Sequence, residues 1–320
     1  ATAGRQNPTV STAMTIQDCT ISGNSAASNG GGIAVSNGKL HVINTTVSDN
    51  AAGDQGGGIF VSSGTVSVTN CTVAANRADS NGTDDPGSDL GGGIAKLNGN
   101  LALKNSLVIG NRHGTTGALN DIHGTLGSSS RNNIIGHAGS AGGLVDAIQS
   151  NLVGINGAGS RPLPSVISPA LTVSVGKTPT HNLAISSLAI DSGENSVAVD
   201  PAGTALVHDQ RGISRFVDGD ANGLATIDRG SVEFASAPVI TVPGTLAYSE
   251  QAAAVVVSPS ATVSDLDSAH FGGGLLTVSI GGVASSDRLS VRNQGTAAGQ
   301  IGVSGQNVRF GGAVIGIISG

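Results

Sequence analysis

Four letters set the limits on this chain: Gly30-Gly31-Gly32-Ile33 returns at Gly56 to Ile59 and again at Gly91 to Ile94. A phrase closing on asparagine returns with it, ending at Asn24, Asn50, Asn76 and Asn111. Both marks take the same steps, 26 residues (33 to 59, 50 to 76) and then 35 (59 to 94, 76 to 111). A period of this length, built of short β-like runs between Gly and Asn turns, implies units that bury their apolar faces only against their neighbours. The expected class is all-β, a parallel β-helix with one turn of chain per repeat.

Side chains alternate faces along a strand, so the inward positions can be read off. They are Ile33, Val35, Leu40, Val42 and Val47, then Ile59, Val61, Val66, Val68 and Val73, then Ile94, Leu101, Leu103 and Val108. One column fails, because Val35 and Val61 lead to Lys96; neighbouring Leu97 suggests a strand slipped by one residue there. The asparagines at 24, 50, 76 and 111 belong at corners, where Asn tolerates left-handed backbone and its amide can bond the amide above and below. That ladder is structural.

Composition narrows the function. A chain of 320 residues can hold two or three domains, and 50 glycines with only 11% charged residues exclude a charged disordered chain and an ordinary helical enzyme. The net charge of −6 and scattered Lys and Arg give no basic face, so no nucleic-acid partner is expected. No apolar stretch is long enough to span a bilayer. Ala1 onward lacks a secretory leader, which points to a processed chain or an excerpt of a longer one. Cys19 and Cys71 share a column two turns apart, roughly 9.6 Å between Cα atoms, beyond disulfide reach. Two buried thiols are expected, and with no His or acid in that column a metal site has no support.

Residues 1–150 read as the coils, with a surface insertion from Arg77 to Leu90 that carries Asp79, Asp84, Asp85 and Asp89. Those acids could hold calcium, but a solvated excursion is the preferred reading. Asn44-Thr45-Thr46, Asn70-Cys71-Thr72 and Asn81-Gly82-Thr83 match the glycosylation triplet, the first two within strands. From 113 the period decays. Residues 151–237 are expected to end and cap the β-helix, and 238–320 to form a β-sandwich from runs such as Val239 to Val242 and Leu275 to Ile280 between Gly and Ser turns.

The phrases after residue 113 are particular: Asp121-Ile122-His123-Gly124, Asn132-Asn133-Ile134-Ile135-Gly136, Thr180-His181-Asn182-Leu183 and Leu188-Ala189-Ile190-Asp191-Ser192-Gly193. Asp209-Gln210-Arg211-Gly212-Ile213-Ser214-Arg215, Asp218-Gly219-Asp220-Ala221-Asn222-Gly223 and Ile227-Asp228 follow. In this order they resemble bacterial exported proteins with polymorphic-outer-membrane-protein-type repeats and a choice-of-anchor Q segment, over roughly residues 14 to 235. That segment usually ends Asp-Ile-Gly-Ala-x-Glu, where this chain has Asp228-Arg229-Gly230-Ser231-Val232-Glu233. The resemblance implies a right-handed β-helix on a secreted or surface-displayed protein, with no established chemistry. From 238, Tyr248-Ser249-Glu250, Val263 to Ser268, Phe271 to Leu275 and Gly302 to Gly312 resemble the cadherin-like repeats of large bacterial adhesins. Such repeats normally run on past the point where Gly320 stops, as at a cut or in a domain completed by another chain.

Asp218, Asp220, Asn222 and Asp228 follow an alternating oxygen-ligand pattern with Gly223 at the sharp turn of a calcium loop, although Arg229 stands where an EF-hand carries Glu. Glu250, Asp265 and Asp267 resemble the interdomain calcium ligands of cadherin-like modules, with Asp287 a weaker fourth. Metal-free Asp/Gly/Asn turns are the alternative in both places. A catalytic β-helix needs carboxylates and a base converging in one groove, yet Asp49 is matched by Gly23 and Ala75, and Asp54 by Ser28 and Ser80. His208-Asp209-Gln210-Arg211 reads better as an Asp–Arg pair tying a loop to the helix end than as acid–base machinery, and His113, His123 and His181 lack partners at metal-ligand spacing.

The expected function is therefore a non-enzymatic structural or adhesive protein, extracellular and on the bacterial surface, part of a large surface protein or a filament subunit. Its expected partners are cell-surface and matrix glycans or other copies of itself, since open strand edges invite head-to-tail assembly. The alternative keeps the fold and binds or cleaves polysaccharide. An acidic groove beside the insertion favours that alternative; a uniform Ser/Thr/Asn surface favours the first.

Overall fold

The computed structural model describes residues 13–82, 90–173, 178–220, 222–234, 239–244, 246–247, 249, 252–258, 260–264, 276–279 and 288–319. Contacts divide the chain into two units, residues 1–236 and 237–320.

The first unit is written in repeats. The first described repeat contains β1 (Ala13–Gln17), β2 (Thr20–Ser22), β3 (Ser25–Ala26) and β4 (Ile33–Val35). The second contains β5 (Lys39–Ile43), β6 (Thr46–Ser48), β7 (Ala51–Ala52) and β8 (Ile59–Val61). The third contains β9 (Thr65–Thr69), β10 (Thr72–Ala74), β11 (Arg77–Ala78) and β12 (Ile94–Lys96). Next come β13 (Asn100–Lys104), β14 (Leu107–Ile109), β15 (Arg112–His113), β16 (Ala118–Leu119) and β17 (Ile122–His123), then β18 (Ile134–Ile135) and β19 (Leu152–Val153). Equivalent strands of successive repeats pair in parallel, giving four sheets: A, β1-β5-β9-β13; B, β2-β6-β10-β14-β18-β19; C, β3-β7-β11-β15-β16; and D, β4-β8-β12-β17. Only β15–β16 is antiparallel among these pairs. The short sheet C was not expected from the sequence, and sheets B and D continue past the point where the period fades.

Register follows the columns. Ile33, Ile59, Ile94 and Ile122 lie side by side, as do Val47, Val73, Val108, Ile135 and Val153. Every inward residue named from the alternation is buried in one continuous core. The slip expected at Lys96 does not occur: Lys96 pairs with Val61, and Leu97 N–H bonds the Val61 carbonyl at 2.9 Å. The backbone ladder holds register, while the half-buried lysine can lay its stem along the apolar edge.

The triple glycine is steric. A Cβ on Gly31 would sit 2.4 Å from the Ala51 and Gly57 carbonyl oxygens, and one on Gly57 2.3 Å from the Arg77 carbonyl. The insertion also starts later than expected: Arg77–Ala78 is β11, laddered to β7 and β15, and Asp79 is buried. Asp84, Asp85 and Asp89 lie outside the described residues.

The asparagine ladder runs Asn24 to Asn50 (3.0 Å), Asn50 to Asn76 (2.9 Å) and Asn76 to Asn111 (3.0 Å), each Nδ2 donating to the next Oδ1. It ends on a carboxylate, with Asn111 donating to Asp121 Oδ1 at 2.9 Å. The left-handed corners belong to the residues just before, Gly23, Asp49, Ala75 and Gly110, and to a separate column of Asp18, Asn44, Asn70, Asn105 and Asn132. The ladder residues avoid that conformation because their own N–H groups must also reach the next amide oxygen, as Asn50 N–H does at 3.0 Å. Both cysteines are free thiols. Cys71 is buried, and its pKa is pushed up to about 12 by burial. Cys19, in the first described repeat, is only half-buried, a difference from the expectation.

The described residues of 160–234 cover the outer face of sheet B. Val166, Ile167, Leu183, Ala189 and Val232 form a second core with Ala74, Leu107, Ile109 and Ile134. From β6 to β18 sheet B is therefore buried on both faces.

In the second unit β20 (Val239–Thr241) pairs antiparallel with β21 (Thr262–Ser264). Three further strands, β22 (Ile301–Ser304), β23 (Asn307–Phe310) and β24 (Ala313–Ile317), form an antiparallel meander. Gly311 and Gly312, both at positive φ, make the second turn. Leu276–Ser279, expected within a strand, has no ladder partner among the described residues.

Candidate functional site

The outer layer meets sheet B through point contacts. Arg215, fully buried, directs Nη1 to Glu233 Oε1 at 2.5 Å and Nη2 to Asn44 Oδ1 at 2.8 Å. Asp209 holds Arg211 through Nε at 2.9 Å and Nη2 at 2.7 Å, and accepts the Glu233 N–H at 2.9 Å. Gln210 accepts from Thr46 at 2.7 Å and donates to Thr20 at 2.8 Å and Thr178 at 2.9 Å. His181 lies 2.7 Å from Ser48 Oγ and 2.8 Å from the Ser168 carbonyl. The latter must accept, so Nδ1 carries the proton and Ser48 donates to Nε2. The Asp209–Arg211 pair ties its own loop to Glu233 within this outer layer, not to the end of the repeats as expected from the sequence. Asn44 and Asn70 are buried, which removes two glycosylation triplets as accessible acceptors; Asn81 is exposed.

Hydrogen bonds continue from this lock to an acidic loop. Asp228 N–H donates to Glu233 Oε2 at 2.9 Å, and the buried Asp228 carboxylate accepts the N–H groups of Asp191 (2.6 Å) and Phe234. Asp191 Oδ2 in turn accepts the Asp220 N–H at 2.6 Å. Burial, opposed by these N–H groups, pushes Asp228 up to about 7, and raises Glu233 against the pull of Arg215.

Of the residues expected to hold calcium in this unit, Asp218 and Asp220 are brought together, and Asp191 joins them. One carboxylate oxygen of each lies within 4.8 Å of the others. Asp228 sits behind them with both oxygens on backbone N–H groups, and Asn222 Oδ1 accepts the Leu224 N–H at 2.8 Å. Asp218 accepts the Asn222 and Gly223 N–H groups at 3.0 and 2.8 Å. Asp191 is pushed up to about 6 by burial, with the neighbouring charges of Asp220 and Asp218 adding to it. An oxygen-only set of three carboxylates fits a hard divalent cation. Asp191 was hidden in the sequence because it lies outside the alternating run; its only mark was an Asp before Ser-Gly. Glu250, Asp265, Asp267 and Asp287 lie outside the described residues.

A separate open cleft of about 380 Å³ lies beside Leu90, where the insertion rejoins sheet D, lined by Asn120, His123, Thr125 and the small residues around Gly142. No acid is among its described lining residues. Asp121 lies beneath, pushed up to about 6 by burial, and closes the asparagine ladder.

No known protein family, curated protein or solved structure matched the chain. Among the described residues no helix is long and apolar enough to cross a membrane.

Proposed function

We propose that this chain is a non-enzymatic structural and adhesive protein of the bacterial cell surface or extracellular matrix. In this reading the first unit is a right-handed parallel β-helix stalk of the kind carried by exported proteins with polymorphic-outer-membrane-protein-type repeats and a choice-of-anchor Q segment. The second unit is a cadherin-like β-sandwich module. The observation that carries the proposal is where the buried ionisable groups go: Asp209, Arg211, Arg215, Asp228 and Glu233 bind one another and the backbone. All five are buried, so they join segments of the chain and are not presented to a substrate. The open cleft offers His123 without a carboxylate among its described lining, which supports adhesion over glycan cleavage.

Asp191, Asp218 and Asp220 hold calcium in this account, and Glu250, Asp265 and Asp267 are its further proposed ligands in the second unit. The partners are surface and matrix glycans or other copies of the chain, head to tail. Incubation of the whole chain with a panel of polysaccharides tests the reading. Retention of glycan on immobilised protein with polymer length unchanged is expected. Shortening of a polymer that disappears in His123→Ala would overturn it in favour of a cleaving enzyme.

A further inference from the structure

Among the described residues, the inner core of the first unit draws its buried residues only from positions 33 to 153. Residues 178–234 add nothing to it. They form instead a layer bonded mainly to itself: Gln210 N–H to Ser231 O at 2.9 Å, Arg215 N–H to Val207 O at 3.0 Å, Leu206 N–H to Ala198 O at 2.9 Å and Arg229 N–H to Ala189 O at 3.0 Å. Among the described residues one backbone–backbone hydrogen bond, Gly230 N–H to Asn105 O at 2.8 Å, joins residues 178–234 to the repeats, and others join them to 166–172, as Ser168 N–H to Asn182 O at 2.7 Å and Ala184 N–H to Val166 O at 3.0 Å. All other polar attachment to the repeats is through side chains.

The face beneath is graded. In the earlier repeats it presents hydroxyls, Thr20, Thr46, Ser48 and Thr72, which meet Gln210, His181 and Ser231. In the later repeats it turns apolar at Leu107, Ile109 and Ile134. The only guanidinium from the layer to reach the asparagine column of the early repeats, among the described residues, is that of Arg215, on Asn44. Losing that contact leaves the buried Asn44 Oδ1 without its donor, while Nδ2 still donates to the His208 carbonyl at 2.8 Å; the Arg215–Glu233 pair stays within the layer.

We propose that residues 178–234 are a latch: a layer that opens from sheet B as one body while the repeats beneath remain folded, with Arg215 on Asn44 as its catch. A device of this kind follows from a sheet whose inner face is complete without the layer, and whose ladder runs within the repeats rather than to the layer.

Hydrogen exchange read by mass spectrometry on the whole chain tests this. Under native conditions peptides spanning 205–234 should exchange as one group, about a hundredfold faster than peptides from β5 and β9. Arg215→Met should accelerate the first group by a further tenfold or so and leave β5 and β9 unchanged. Asn44→Ala, which removes the catch from the other side and keeps the Arg215–Glu233 pair, should act in the same direction and serves if Arg215→Met does not fold. Latch and repeat peptides exchanging at one rate in the wild-type chain would overturn the proposal, as would an acceleration in Asn44→Ala spread equally over both groups.

Discussion

Arg215 donates from Nη2 to Asn44 Oδ1 at 2.8 Å, across 171 residues of sequence, with both side chains buried. The guanidinium is balanced by Glu233 at 2.5 Å. Breaking one side of a buried pair costs more than the pair gains over an apolar replacement. Glu233→Gln should therefore destabilise the first unit by about 3 kcal/mol, and a Glu233→Gln, Arg215→Met double variant by less than the sum of the two singles. Chemical denaturation of the four proteins checks this; additive losses would mean that the pair is not coupled.

The ladder gives a sharper test of side-chain chemistry. Asn76 Nδ2 donates to Asn111 Oδ1 and its Oδ1 accepts from Asn50 Nδ2. Asn76→Asp keeps the acceptor but sets a carboxylate against the Asn111 oxygen, and Asn76→Leu leaves several buried groups unpaired. Both should cost about 3 kcal/mol or more, whereas Asn24→Asp, at the exposed end of the same ladder, should cost under about 1 kcal/mol. Equal losses at the two positions in thermal melts would contradict the ladder.

Two glycines separate steric from conformational demand. Gly57 has ordinary φ, but an added Cβ would meet the Arg77 carbonyl at 2.3 Å; Gly23 lies at φ +67 with open space around it. Gly23→Ala should cost about 1–2 kcal/mol from left-handed backbone alone. Gly57→Ala should cost more, since two backbones must move apart, and melting temperatures of the pair should rank in that order.

His181 supplies a pH dependence with a definite sign. Burial lowers its pKa, with the Asp49 charge and the Ser168 carbonyl opposing, so the neutral ring is favoured when folded. Its contribution is complete above the ordinary value near 6.5 and is lost as pH falls below it. Asp228 acts oppositely: its raised value favours the protonated form, and that contribution fades as pH rises through about 7. The separating experiment is His181→Gln, which should lose less stability than the wild-type chain between about pH 7 and pH 5. An identical slope in both proteins would show that His181 does not titrate with unfolding.

What could be read from the letters and what could not divides along periodicity. Ile33, Ile59 and Ile94 announced their column because the same residue type recurs at the step of the repeat, and the asparagine ladder did so for the same reason. Lys96 misled because a charge in a column suggests a slip, although the backbone ladder sets register and a long side chain can turn outward. The latch was not legible, since Arg215 and Asn44 share no spacing rule; what marked it was a cluster of charged residues in a chain otherwise poor in them. Asp191 escaped for a related reason, joining Asp218 and Asp220 only through the fold.

The measurement that bears most directly on a calcium-stiffened surface stalk is thermal unfolding of the whole chain in calcium and in chelator, with Asp218→Asn alongside. A ligand that binds only the folded state raises its stability by mass action. Calcium should raise the melting temperature of the first unit by several degrees, on the order of 5 °C at saturating ion, and Asp218→Asn should lose that gain. Superimposable melts of the wild-type chain in calcium and in chelator would contradict it.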